Sequence, residues 1–159
     1  MKHLYAPWRS GYLHNKQTGS CVFCKNCAET DDAQTFIIKR FEHCFVMLNL
    51  FPYNAGHLLI IPYEHQDSLE KLSQPARQEM MEVATKSITI LKETLGAEAI
   101  NIGLNLGGKA AGGSIPDHLH MHVLPRWLGD TNFLVTLADT KQISIDLADT
   151  YRKLSTASW

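Results

Sequence analysis

The feature that most constrains the fold is the stretch DHLHMHVLPRW at 117–127, where histidine occupies every second position. Residues i, i+2 and i+4 of a strand point to one face, with successive Cβ atoms about 6.5–7 Å apart. The period therefore predicts a strand over 117–127 that presents His118, His120 and His122 together. The apolar residues between and after them, from Leu119 to Val123, are predicted to enter a hydrophobic core.

The glycine-rich segment GGKAAGGS at 107–114 directly precedes the three histidines. Two chemistries suit such a row: two imidazoles can bind one zinc ion, or one imidazole can act as a nucleophile while its neighbours set its tautomer and charge. The glycines favour the second, because backbone N–H groups without side chains can approach an anion closely. Imidazole attacks phosphorus readily, so the combination indicates nucleotidyl transfer.

Length, charge and cysteine content limit the class of protein. The 159 residues predict one domain over 1–159, and a formal net charge of −1 argues against a nucleic-acid polymer as the partner. No run approaches the ~20 apolar residues of a membrane span, so we expect no membrane association. Crowding of Cys21, Cys24 and Cys27 predicts a metal knuckle or reduced thiols, and hence a cytoplasmic protein.

Periodicity assigns the remaining elements. Residues 1–20 are predicted to form an extended arm, and 25–35 a polar loop. A 3.6-residue period predicts a helix over 74–95, between an N-cap at Ser73 and a stop at Gly96. Further strands are predicted in TFIIK, HCFVMLNL, HLLIIP, AINIGLNL and NFLVTLAD, and a last helix within 141–157. This order indicates an α+β fold with an antiparallel sheet.

The segment HLHMHVL resembles the histidine-triad signature His-φ-His-φ-His-φ-φ, in which φ is apolar. NLFPYNAGHLLIIPYEH and CVFC resemble other segments of that family. HLHMHVLPRWLGDTNF is similar to the branch that contains diadenosine tetraphosphate phosphorylases and hydrolases. The resemblance implies an α+β fold with a five-stranded antiparallel sheet and two helices, and a homodimer.

The resemblance also implies roles for individual residues. His120 would be the nucleophile that attacks the α-phosphorus, His122 would contact the phosphate and support the developing charge, and His57 would orient the nucleophile. The positions matching nucleotide or phosphate contacts of the family are Asn49 at the ribose, Asn105, Gly113 and Ser114 in the phosphate loop, and Arg126 behind the triad.

A structural zinc ion is the cofactor that the resemblance implies. Zinc-bearing relatives use two cysteines, the histidine of a Pro-x-x-His segment and the first triad histidine, which match Cys21, Cys24, His65 and His118. Four protein ligands leave no open position, so the ion would be structural. Cys27 offers the same spacing to Cys24, although the aromatic residue in CVFC favours the first pair.

Together these features predict a nucleotidyl hydrolase or transferase that acts on adenine nucleotides through a covalent nucleotidyl-histidine, with dinucleoside polyphosphates such as diadenosine tetraphosphate as substrates. Alternatives are a nucleoside phosphoramidase of the same family, a nucleotide-binding regulatory protein with little turnover, and a zinc hydrolase with the triad as ligands. The sequence leaves hydrolysis and phosphorolysis open; in the second, Arg126 would hold the incoming phosphate.

Overall fold

Five strands form one antiparallel sheet in the order β1-β2-β3-β5-β4. The strands are β1 Ile37–Arg40, β2 Cys44–Leu48, β3 Leu58–Pro62, β4 Ala99–Leu104 and β5 Met121–Arg126. The computed structural model describes residues 21–111, 114–131, 143 and 145–159. The predicted arm at 1–20, the predicted strand NFLVTLAD and Gly113 all lie outside these residues. The predicted α+β fold with a five-stranded antiparallel sheet is confirmed.

Two helices cover one face of the sheet. The helix α3 spans Gln74–Leu95 and the helix α4 spans Leu147–Ser155. Their apolar residues share one core with the strands, with members Val46, Leu58, Ile60, Met80, Ala84, Leu91, Met121, Val123 and Leu154. The predicted ends of α3 are confirmed: Ser73 Oγ accepts from the N–H of Ala76, and Gly96 takes φ +65°. None of the described helices is long and apolar enough to cross a bilayer.

The opposite face of the sheet carries a second, smaller core. The helix α1, Val22–Ala28, inserts the buried Phe23 against strand residues of this face. The other buried members are Ile37, Phe45, Met47, Leu59 and Ile61. This face also carries the three histidines, because the register pairs Leu59 with His122 and cross-strand partners point the same way. The site therefore lies beside α1, on the side of the sheet away from α3.

One local prediction was wrong. Residues 25–35 are not a loop throughout, because they hold the end of α1 and a short helix α2, Asp32–Thr35. The described residues thus contain four α-helices, and the two longer ones, α3 and α4, correspond to the predicted pair. The Asp31 side chain caps α2 by accepting from two backbone N–H groups. The last helix, predicted within 141–157, spans Leu147–Ser155, and the Asp146 side chain caps it by accepting from Ala148 N and Asp149 N.

The strand predicted over 117–127 is also shorter than expected. It begins at Met121, so His118 and His120 precede it. The pairing of Ile60 with Met121 would set Leu119 opposite Pro62, which has no N–H to donate and ends the ladder. The N–H of Leu119 instead donates to Gln66 O at 2.6 Å. The predicted alternation survives, because the Leu119 side chain still enters the helix-side core.

Candidate active site and metal cluster

His120 is held by the backbone just before β5. Its Nδ1 lies 2.9 Å from the carbonyl oxygen of His118. A carbonyl only accepts, so Nδ1 carries a proton, and in the neutral ring Nε2 keeps its lone pair. Burial lowers the pKa of His120, although its bond to the carbonyl acts in the opposite direction. An imidazole in this state has a nucleophilic nitrogen at neutral pH.

His122 is the first histidine within β5, and its ring lies 5.0 Å from that of His120 between centroids. Its Nδ1 is 2.9 Å from Nε2 of His57. Its own Nε2 is buried and has no hydrogen-bond partner among the described residues. Burial, and then the charge of His120, lower the pKa of His122 to about 4. The ring is therefore neutral at pH 7 and has one nitrogen available to a ligand.

The space beside His122 is open on the β4 side. The register places Gly103 directly across from His122, so the two positions share one face of the sheet. A Cβ at Gly103 would meet no described atom within 4 Å. The ring of Tyr53, 59% exposed, stacks on His122 from another side, with centroids 5.9 Å apart and planes at 17°. The sequence did not single out Tyr53, although its aromatic character so close to His57 was a usable signal.

His57 is fully buried just before β3. Its Nδ1 lies 3.2 Å from the backbone N of Tyr53 and 3.2 Å from Nδ2 of Asn49. Burial, followed by the charges of His122 and His120, lowers its pKa to about 3. Its hydrogen bond goes to His122 and not to the nucleophile that the resemblance suggested. Among the described residues, the side chain of His57 therefore has no hydrogen bond to His120.

The predicted phosphate loop lies at the same end of strands β4 and β5 as His120. It starts where β4 ends, at Leu104, whose cross-strand partner is Met121. Its first and last described positions, Asn105 and Ser114, are both exposed, and Gly107 takes φ +112°, a conformation that glycine adopts most readily. Gly113 lies outside the described residues. The loop's location is thus compatible with contact to an anion that approaches His120.

The four predicted metal ligands come together on the opposite side of His120 from His122. The ligand atoms of Cys21, Cys24, His65 and His118 all lie within 4.8 Å of one another. His118 Nδ1 is 3.3 Å from Cys21 Sγ, 3.6 Å from Cys24 Sγ and 3.2 Å from His65 Nδ1. The edges of a tetrahedral zinc site with these atom types are about 3.3–3.8 Å long. The donor set and its spacing therefore fit zinc.

The backbone also sets the tautomer of His118. Its Nε2 lies 2.9 Å from the carbonyl oxygen of Pro62, so Nε2 carries the proton and Nδ1 presents a lone pair to the cysteines. Cys27 has another partner, since its thiol donates to Cys24 O at 3.2 Å. Burial, and then the neighbouring Cys21, raise the pKa of Cys24 to about 11. Metal binding would therefore have to displace thiol protons, and acid would weaken it.

Arg126 lies on the triad side of β5 but four residues beyond His122, about 13 Å along the strand. Its guanidinium donates to both carboxylate oxygens of Asp130, at 2.6 and 2.9 Å, and to Asn101 Oδ1 at 2.9 Å. The buried Asn54 donates to the same carboxylate at 2.8 Å. The structure thus gives Arg126 an ion pair that supports the turn after β5, and it does not bring the guanidinium to the triad.

Comparison with known proteins gives a consistent result. The HIT domain matches residues 30–127. An AP-4-A phosphorylase of Mycobacterium tuberculosis strain CDC 1551 / Oshkosh is 35% identical over 164 residues, covering 98% of this chain and 84% of the relative. The adenylylsulfatase HINT3 of Arabidopsis thaliana is 34% identical over 109 residues, covering 67% of this chain and 52% of that protein.

Solved structures agree with the fold and bear on the metal cluster. A zinc-bound histidine triad family protein from Mycobacterium smegmatis superimposes with a TM-score of 0.67 at 28% identity. The match covers 86% of this chain and 91% of that protein. The overall fold described above is therefore shared with this solved relative.

Proposed function

The chain belongs to the HIT family, and we propose that it is a nucleotidyl hydrolase or transferase that acts on dinucleoside polyphosphates. One observation carries the proposal: of two neighbouring imidazoles, one offers a lone pair and the other offers an N–H. The Nε2 of His120 has a lone pair, because its Nδ1 donates to a carbonyl. The backbone N–H of Tyr53 donates to Nδ1 of His57, so the proton of the neutral His57 ring sits on Nε2 and is donated to Nδ1 of His122. The proton of His122 therefore sits on its own Nε2, which has no partner among the described residues. A nucleophile beside a proton donor is what displacement at phosphorus requires.

In the proposed reaction His120 Nε2 attacks the α-phosphorus of the nucleotide. The N–P bond forms while the bond from phosphorus to the leaving oxygen breaks. The leaving oxygen takes the proton, or a strong hydrogen bond, from Nε2 of His122. The bond from His120 Nδ1–H to the carbonyl of His118 supports the positive charge that develops on the attacking ring. Water or phosphate then displaces His120 from the nucleotidyl group.

We propose phosphate as the second substrate, on the strength of the similarity to the mycobacterial AP-4-A phosphorylase over nearly the whole chain. Diadenosine tetraphosphate would then give ATP in the first step and ADP in the second. Attack by water in the second step would give AMP instead. The phosphate contacts predicted for Asn105, Gly113 and Ser114 belong to this proposal. The predicted phosphate contact of Arg126 does not, because its guanidinium is paired with Asp130.

We propose zinc as the metal of the four-ligand cluster. Zinc would supply a fixed tetrahedral link between the knuckle of α1 and the segment before β5, and it would take no part in the chemistry. The zinc-bound relative and the ligand spacing support this. His118 would pass the restraint to His120 through the carbonyl that holds Nδ1.

We also propose a homodimer in the cytoplasm, as the sequence predicted. Among the described strands, β4 pairs only with β5, so its other edge is unpaired. Its side chains are exposed or partly exposed, with Ile102 at 41%. An unpaired apolar edge is a surface that a second copy can cover. Sedimentation of the protein with Ile102→Lys, expected to give monomer, tests this part.

Product analysis tests the function directly. Purified protein is incubated with diadenosine tetraphosphate, with and without isotopically labelled orthophosphate, and His120→Ala is the control. We expect ATP and labelled ADP with phosphate, and no products from the variant. AMP as the sole short product at saturating phosphate would make the protein a hydrolase. Turnover of an adenosine phosphoramidate alone would support the phosphoramidase. Nucleotide binding without turnover would support the regulatory protein.

A further inference from the structure

Tyr53 has the one exposed aromatic side chain among the residues that the structure describes. Its ring is 59% exposed, yet the backbone around it is held in place. Its own N–H donates to Nδ1 of His57 at 3.2 Å. The next residue, the buried Asn54, donates to the carbonyl oxygen of Pro125 at 3.0 Å and to Asp130 at 2.8 Å. The loop therefore fixes this ring in a position where most of its surface meets solvent.

The ring of Tyr53 flanks His122 on the side away from His120. It stacks on the imidazole of His122 with centroids 5.9 Å apart and planes at 17°. The loop that carries Tyr53 is anchored at Pro125, which lies beyond His122 along β5, whereas His120 precedes β5. The three rings therefore follow one another in the order His120, His122 and Tyr53.

In the proposed reaction the leaving group departs on the side of this exposed ring. Displacement at phosphorus places the attacking and leaving atoms roughly in line, so the leaving oxygen is directed away from His120. His122 gives its proton to that oxygen, and Tyr53 is the next ring beyond His122. From diadenosine tetraphosphate the leaving group is ATP. Its phosphate chain has enough rotatable bonds to bring its base back to a ring near the reacting phosphorus.

We propose that Tyr53 is a specificity-determining residue, which binds the second nucleoside, the one in the leaving group, by stacking on its base. This inference deepens the proposed function and rests on it. Exposed aromatic rings bind bases of any identity, because every base has a π-face. The loop holds the ring before substrate arrives, so little order has to be created on binding. Tyr53 thereby makes the site prefer dinucleoside polyphosphates to mononucleotides with the same phosphate chain.

A pair of substrates isolates this contact. Diadenosine tetraphosphate and adenosine tetraphosphate share the transferred nucleotide and the phosphate chain, and only the first has a second nucleoside. Any effect of the Tyr53 ring on His122 or on the transferred nucleotide is common to both substrates. It therefore cancels in the ratio of their kcat/KM values. A change of side chain also keeps the backbone N–H that donates to His57.

Steady-state kinetics with the two substrates are the first test. We expect Tyr53→Ala to lower the preference for diadenosine tetraphosphate over adenosine tetraphosphate by about 10-fold, a usual size for the loss of a base–aromatic contact. Tyr53→Phe keeps the ring and should keep the preference. Met81→Ala is the matched control, because it removes another exposed apolar side chain, from α3 on the other side of the sheet, and should also keep the preference.

An unchanged preference in Tyr53→Ala, with both substrates slowed equally, would overturn the proposal and leave the ring as a support for His122 alone. Calorimetry in the inactive His120→Ala background gives a second readout that needs no turnover. There we expect Tyr53→Ala to weaken binding of diadenosine tetraphosphate about 10-fold and that of adenosine tetraphosphate less than about twofold. Equal weakening of both would contradict this inference, whereas failure of the wild type to turn over either substrate would contradict the proposed function.

Discussion

The two ends of the histidine row use the same side chain for opposite purposes. His118 donates through Nε2 to the carbonyl of Pro62 and turns its Nδ1 lone pair towards two cysteines and His65. His122 accepts at Nδ1 from His57 and keeps its proton on an Nε2 that has no described partner. One end is thus prepared to bind a cation, and the other to give a proton to an anion.

The difference shows that a repeated residue does not imply a repeated role. Each ring is specified by the group that takes its other nitrogen: a carbonyl makes the remaining nitrogen a base, and an N–H donor makes it an acid. His120 lies between the two ends and is a base because of the carbonyl of His118. Substitutions at either end should therefore affect different measurable properties.

Replacing His120 by Ala should have the largest effect on activity and the smallest on the metal cluster. We expect kcat to fall by at least about 10³-fold, roughly 4 kcal/mol in the barrier, because no neighbouring ring has an available lone pair at that phosphorus. Metal content and thermal stability should stay close to those of the wild type. Retention of more than about a tenth of kcat would end the role of His120 as nucleophile.

Replacing Cys24 by Ser should reverse this pattern. Loss of a ligand weakens the binding of a metal ion that only the folded state binds. We therefore expect the free energy of unfolding to drop on the order of 3 kcal/mol and the metal content to fall below one ion per chain. Molecules that remain folded should keep most of their rate. Cys27→Ser is the matched control and should keep the metal, since its thiol bonds to a carbonyl. Elemental analysis and thermal unfolding of both variants decide the matter.

Acid should weaken the fold through the histidines at the catalytic end. Burial lowers the pKa of His57 to about 3 from its ordinary value of about 6.5. The unfolded chain binds this proton near pH 6.5 and the folded chain does not, so the stability is complete above pH 6.5 and is lost as pH falls towards 3. The slope is at most about 1.4 kcal/mol per pH unit for one group.

Urea unfolding between pH 4.5 and 7.5 measures this slope. As the pH falls, His57→Gln should lose stability less steeply than the wild type. The metal ligands are the same in both proteins, so their own response to acid cancels in the difference. Equal slopes for the wild type and His57→Gln would show that His57 is protonated in the folded state.

The smallest effect concerns the turn after β5. If Arg126 serves mainly its ion pair with Asp130, Arg126→Ala and Asp130→Ala should each cost about 1–2 kcal/mol of stability. The double variant should cost less than the sum of the two. Each single variant should leave the share of ADP among the products unchanged. A lower ADP share in Arg126→Ala alone would place the guanidinium at the phosphate, as the sequence predicted.

Much of this arrangement was predictable because it depends on local patterns. The alternation of histidines predicted the sheet face, and the capping residues of α3 predicted the long helix, whereas the set of four metal ligands was predicted from the resemblance to the histidine-triad family. The tautomers could not be predicted, since they depend on contacts between distant segments, such as His118 with Pro62 and His57 with His122. The late start of the histidine strand, at Met121, had the same origin, because it depends on which residue lies opposite a proline.

The most direct test of the account is to identify the histidine that becomes nucleotidylated. The enzyme is mixed with diadenosine tetraphosphate, quenched within one turnover under conditions that preserve N–P bonds, and digested for mass spectrometry. We expect an adenylyl group on His120 and on no other histidine, and none after His120→Ala. An adduct on His122, or turnover with no adduct at any time, would contradict the assignment of base and acid along the row.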